Sequence, residues 1–168
     1  MWKELLDQVR EDLHDSSEEA KNYFDVSYAR YLATLEFIGS IPLGRVLDLG
    51  CAIGRLSMLI AAQGIEVYGL DASEKAIAFA RAWAQDEQMT DIHFDVGMAS
   101  TLTYPDNAFD AVVANAVLDH MPLSEAQKAV REMYAVLRPG GLILASFDGL
   151  EGKEAAAHHV LEDGTRLY

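Results

Sequence analysis

Residues 46–71, VLDLGCAIGRLSMLIAAQGIEVYGLD, leave few folds open. A short apolar run reaches Asp48 and Gly50, Gly54 follows, a helical stripe closes at Gly64, and a second apolar run ends in Asp71. Apolar runs this short with little polar alternation are strands buried on both faces, and the segment between them has helical periodicity. Two strands joined this way run parallel. The right-handed crossover then sets their carboxyl ends on one rim, where ligands of open parallel sheets bind.

The rhythm continues along the chain. RVLDLG, EVYGLD, DIHFDVG, FDAVVANAV and LILASF read as five strands. Ser73 caps a helix reaching to about Gln88, with Ile77, Ala80 and Ala84 inward. Ser124 and Gln127 form a capping box over an expected stripe of Val130, Met133, Tyr134 and Leu137, and RPGG reads as the turn before the fifth strand. The prediction is an α/β fold, a three-layer sandwich around a mostly parallel sheet of about five strands. Upstream, Trp2, Leu5, Leu6, Val9 and Leu13 recur at helical spacing, as do Tyr28, Tyr31, Leu32, Leu35 and Ile38, and Pro42 and Gly44 punctuate the second run. We expect one domain over residues 1–168: N-terminal helices in 1–43, the α/β core in 44–148, and in 149–168 a partly ordered tail without a strong strand.

Composition narrows the partners. A formal charge of −14 argues against nucleic acid or an anionic membrane held by basic contacts, and favours a small-molecule substrate. The chain carries one cysteine, Cys51, which fits a reducing compartment, and no apolar run of membrane-spanning length, so a cytoplasmic location is expected. His158 and His159 are adjacent and do not share a helical face, and His14 and His93 lack companions, so no metal site is expected.

The turn itself has a chemistry. Gly50 can take positive φ, Gly54 marks a helix start with free N–H groups, and a carboxylate at Asp71 can accept both hydroxyls of a ribose. A dinucleotide fingerprint would need glycine where Ala52 and Arg55 stand, so a ribose ligand without a pyrophosphate fits better. Cys51, beside a helix start, has the setting of a somewhat stabilised thiolate, but without a partner base it reads as a small buried side chain.

DLGCAIG (48–54), GLDAS (69–73), YPDNAFDAVVANAVLDHM (104–121) and VLRPGGLILAS (136–146), in that order, resemble the class I, seven-strand, Rossmann-like S-adenosylmethionine-dependent methyltransferases of small-molecule type. The resemblance covers residues 45–147 and implies S-adenosyl-L-methionine as cofactor and S-adenosyl-L-homocysteine as product. It implies that Asp48, Gly50, Cys51, Ala52 and Gly54 line the methionine portion, that Asp71 holds the ribose with Ala72 and Ser73 beside the adenine, and that Asn115 lies near the methionine end. Met98 stands where the family's adenine-contacting acid falls, with the Ala99 N–H still available to the ring; loss of one such bond predicts binding weaker by about 0.5–1.5 kcal/mol. His120 is the candidate base, and Tyr23, Tyr28 and Tyr31 are candidate substrate contacts in a segment that folds over the cofactor. Beyond the fifth strand the family adds a helix and a C-terminal strand pair, which this chain is expected to lack. LILASF would then be an exposed edge, a place for a homodimer to form. The alternative reading is a catalytically inactive, cofactor-binding scaffold of the same fold.

Overall fold

The computed structural model describes residues 18–39, 42, 44–147, 159–160 and 166–167. The helix expected over residues 2–13 lies outside them. Helix α1 (Glu18–Gly39) leads into β1 (Arg45–Leu49), α2 (Arg55–Ala61), β2 (Glu66–Asp71), α3 (Glu74–Asp86), β3 (Ile92–Val96) and β4 (Phe109–Asn115). A 3₁₀ turn, Leu118–His120, precedes α4 (Leu123–Val136) and β5 (Leu137–Ser146). The five strands form one sheet in the order β3-β2-β1-β4-β5, every pairing parallel. The order reverses between β1 and β4, which makes the gap beyond their carboxyl ends the expected crevice.

Strand alternation distributes the core. Val46 and Val67, with Ala111 and Val113, meet one face, where Leu35 and Ile38 of α1, Leu56 to Ala61 of α2, and Ile77, Ala80 and Ala84 of α3 bury against them. Leu47, Leu49, Val112 and Ala114 meet the other, under Met133 and Val136 of α4 and the helix-free segment carrying Ala99, Leu102 and Tyr104. On that second face Tyr104 and Tyr68 pack edge-on against Phe109, centroids 5.2 and 5.5 Å away. The expected three-layer α/β sandwich is the architecture found.

Several local expectations are corrected. Pro122, not Ser124, occupies the N-cap of α4, and no side chain caps it. The buried stripe of α4 is Ala129, Met133 and Val136; Val130 is 46% exposed and Tyr134 78% exposed. The helix begins two residues before the expected cap, and it packs through Ala129, Met133 and Val136, which leaves Tyr134 outward. RPGG is not a separate turn: it lies within β5, where Gly140 takes φ 79° and the pairing with β4 shifts register between Phe109 and Ala111. In the tail, for which no strong strand was expected, β6 (His159–Val160) and β7 (Arg166–Leu167) form a two-residue antiparallel pair. That pair is a sheet separate from the main one, and β5 pairs only with β4 among the described residues.

Candidate functional site

The loop after β1 is tied to the end of β2. The N–H groups of Gly50 and Cys51 both donate to the Leu70 carbonyl, at 2.7 and 3.1 Å, and the Ala52 N–H donates to Asp71 Oδ2 at 2.9 Å. Asp71 Oδ1 accepts the Ser73 N–H at 2.8 Å. Each oxygen of Asp71 therefore holds one backbone donor and keeps a further lone pair for a ligand. The Asp71 carbonyl accepts the Gly97 N–H at 3.0 Å, which draws the Met98–Ala99 segment to the same rim. Met98 is 56% exposed there, whereas Ala99 packs on the second core.

Glycine is required twice in this loop. Gly50 has φ 71°, and a Cβ on it would come 2.3 Å from Val117 Cγ2, so the loops after β1 and β4 touch across the strand-order reversal. Gly54 has φ 82°, and its missing side chain admits Phe94 and Ala80. Ala52 adopts φ 49°, a left-handed conformation that a side chain disfavours. Cys51 is buried, and its Sγ lies 2.9 Å from where a Gly69 Cβ would sit. Burial pushes its thiol up, so the stabilised-thiolate setting suggested by the helix start is corrected.

Asp48 is the most unusual group of the rim. It is 2% exposed, and its Oδ2 accepts the Ser57 hydroxyl proton at 2.5 Å. Burial pushes the carboxyl up to about 7; the Ser57 hydrogen bond opposes that rise and the negative charge of Asp71 adds to it. Gly54, the N-cap of α2, has no side chain to offer, and the Ser57 N–H in the first turn meets Asp48 instead. Ser57 went unread in the sequence. Its signal was a hydroxyl in the otherwise apolar run LSMLIAA, three residues past the N-cap.

The remaining candidates do not all share this rim. Ser73 accepts the Ala76 N–H at 3.2 Å and caps α3, and Ala72 is exposed beside it. Asn115 ends β4, its Oδ1 taking the Ser146 hydroxyl at 2.9 Å and its amide reaching Thr34 Oγ1 at 3.4 Å. The side chain thus joins β4 to β5 and α1, a role no local pattern announces. His120 closes the 3₁₀ turn beyond β4, exposed and with its N–H donating to the Val117 carbonyl. Tyr31 packs against the first core cluster, whereas Tyr23 and Tyr28 lie on α1 with their side chains outside the described part. Asp95 is turned away, accepting the Tyr104 hydroxyl at 2.9 Å. Asp110 sits at the opposite rim.

Known proteins share this layout. Residues 46–141 match the family model described as a methyltransferase domain. The 27-O-demethylrifamycin SV methyltransferase of Amycolatopsis mediterranei is 34% identical over a match covering 97% of this chain and 62% of that protein. Among solved structures, the PH0226 protein of Pyrococcus horikoshii superposes with a TM-score of 0.68 at 30% identity, covering 86% of this chain and 61% of that one. A SAM-dependent methyltransferase of Methanosarcina mazei superposes with a TM-score of 0.56 at 31% identity, covering 59% and 50%. The chain spans 62% of the length of that Amycolatopsis relative and 35% of the length of the methyltransferase GfsG of Streptomyces halstedii, to which it is 36% identical over 58% of its own length. With the model match extending from β1 into β5, the chain belongs to the methyltransferase domain family.

Proposed function

We propose that this chain is the core of an S-adenosylmethionine-dependent methyltransferase acting on a small-molecule acceptor. The observation that carries the reading is the Ala52 N–H bond to Asp71 Oδ2, which joins the glycine loop and the rim carboxylate into one wall. The donor set suits the ligand. A ribose diol finds the free lone pairs of Asp71, and a cationic amino-acid tail finds the buried carboxyl of Asp48 beside the loop. The cofactor when bound supplies an activated methyl group, so the protein has mainly to orient the acceptor and exclude water. His120, on the turn after β4, is the group we assign to accept the acceptor's proton.

Titration with S-adenosylhomocysteine tests this reading. We expect binding by the wild-type chain and a loss of about 10- to 100-fold in Asp71→Ala, from the charge-assisted bonds to the ribose. Absence of binding at millimolar ligand by folded protein would overturn it.

Two finer readings accompany it. We infer a cytoplasmic protein; no helix among the described residues is long and apolar enough to cross a membrane. We also infer self-pairing at β5, an edge strand among the described residues with Ile143 exposed, and expect Ile143→Lys to be monomeric in sedimentation where wild type is dimeric. A wild-type monomer ends that inference.

A further inference from the structure

Phe79 and Trp83, one turn apart on α3, face the start of α2 across an apolar groove of about 270 Å³, which Ile53, Arg55, Ala82 and Asp86 complete. Phe79 is 55% exposed, and its ring meets Trp83 edge-on at 6.3 Å. A single exposed apolar side chain is ordinary, but an aromatic pair opening on a groove between two helices has the form of a seat for an amphipathic helix. The groove is smaller than the about 300–1,000 Å³ of pockets that enclose a small molecule.

The chain carries a segment that fits. Trp2, Leu5, Leu6 and Val9, outside the described residues, recur at the i, i+3, i+4, i+7 spacing by which a helix anchors in such a groove. Helices α1, α2 and α3 cover one face and each leads into a strand of the parallel sheet, so all three run from the carboxyl rim to the amino rim. Gly39, the last residue of α1, is level with Gln63, just past α2: a Cβ on it would come 3.1 Å from Gln63 Oε1. Since α1 has 22 residues and α2 has 7, a rise of about 1.5 Å per residue starts α1 about 20 Å beyond the start of α2. From there the chain between Leu13 and Glu18 reaches about 17 Å when extended. That covers a sideways step of about 15 Å past α2, at helix spacings of about 8–10 Å. Residues 2–13 as a helix then return about 17 Å toward the amino rim, which brings Trp2, Leu5, Leu6 and Val9 level with Phe79 and Trp83.

We propose that the groove between α2 and α3 is the docking site of residues 2–13, held there as an amphipathic helix antiparallel to α3. Ile53 belongs to the glycine loop, so the docked helix also braces that loop from outside. The docking holds whether or not the chain binds a cofactor.

The sequence has two tryptophans, Trp2 and Trp83, so Trp2→Phe leaves Trp83 as the sole reporter of the groove. In this full-length background acrylamide is expected to quench Trp83 weakly. Adding Leu6→Asp and Val9→Asp is expected to raise the quenching several-fold and shift the emission to the red. Strong quenching in the parent background, or quenching that the two aspartates leave unchanged, overturns the proposal. Protection that is lost on dilution assigns the groove to a second copy and overturns it too. A disulfide trap gives a reading that survives poor folding of the aspartate variant. Leu6→Cys with Phe79→Cys is expected to cross-link within one chain, and Asp7→Cys, on the opposite side of the segment, with Phe79→Cys is not. Equal cross-linking of both pairs, cross-links only between chains, or none at all overturns the docking.

Discussion

Asp48 and Asp110 lie on neighbouring strands of one sheet, both buried, and face opposite demands. Asp110, at the amino rim, accepts the N–H groups of Gly44 and Arg45 at 2.5 and 2.7 Å and pairs with Arg138 at 2.5 Å. Its negative charge is fully used by the fold, stitching the entry of β1 to β4 and to the irregular start of β5. Asp48, near the carboxyl rim, is bonded by Ser57 and lies beside a second carboxylate, Asp71. The backbone repeats the contrast. Around the amino rim Gly64, Asn107 and Gly140 fill left-handed positions with tolerant residue types, Gln88 being the exception; the ligand rim has Gly50 and Gly54 there, and also Ala52 and Ala116, which carry side chains at φ 49°. One rim is satisfied and holds the sheet together. The other holds a carboxyl raised by burial and two alanines in left-handed backbone.

The sharpest way to break this contrast is the pH dependence of stability. The Asp48 carboxyl is raised in the folded state from 3.8 to about 7, so the folded chain binds a proton more tightly than the unfolded one. The stabilisation this gives is fully present below the unfolded value and is lost as pH rises through about 7. A shift of this size corresponds to about 4 kcal/mol between about pH 4 and about pH 8.5. Urea unfolding of wild type and Asp48→Asn across that range should show the variant gaining on wild type as pH rises, and overtaking it above neutrality. A constant difference between the two would mean that Asp48 is charged throughout.

Asp110→Ala is next in size and acts in the other direction. It strands two backbone N–H groups at the sheet entry, at a cost of about 2–3 kcal/mol, and the half-exposed Arg138 pair adds little. Lower urea midpoints at all pH values from 6 to 8, with S-adenosylhomocysteine affinity unchanged, are the expected result. A loss of affinity exceeding the loss of stability would erase the division of labour between the rims.

What the sequence disclosed follows the same division. The glycine turn, Asp71 and the strand rhythm were legible because each is a local pattern: Gly50 and Gly54 need positive φ, and strands buried on two faces need uninterrupted apolar residues. The partners that complete the site are separated in sequence. Ser57 meets Asp48 across a turn and Asn115 meets Ser146 across a crossover, so their roles depend on packing that no local period encodes. The α4 error has a comparable source. Val130 and Tyr134 share helical spacing with Met133, but packing on the sheet turns Ala129, Met133 and Val136 inward and leaves Val130 and Tyr134 outside. The tyrosines of α1 share this limit, since Tyr31 turned out to pack on the core where a substrate contact was equally compatible with its spacing.

Ala52→Gly carries the smallest expected effect and addresses the strained rim directly. A side chain in the left-handed region costs about 1 kcal/mol, and glycine removes that cost while adding freedom to the unfolded chain, so the net gain should be about 0.5 kcal/mol. The Ala52 N–H would still reach Asp71 Oδ2, because the backbone bond needs no side chain. The gain should therefore appear as a slightly higher urea midpoint at every pH, independent of the Asp48 transition. If the methyl also crowds the amino-acid tail, glycine should in addition tighten S-adenosylhomocysteine binding beyond the stability gain; equal shifts would assign the whole effect to the backbone. Destabilisation by glycine would show that the alanine is held at φ 49° without strain, and the contrast between the rims would then rest on the two aspartates alone.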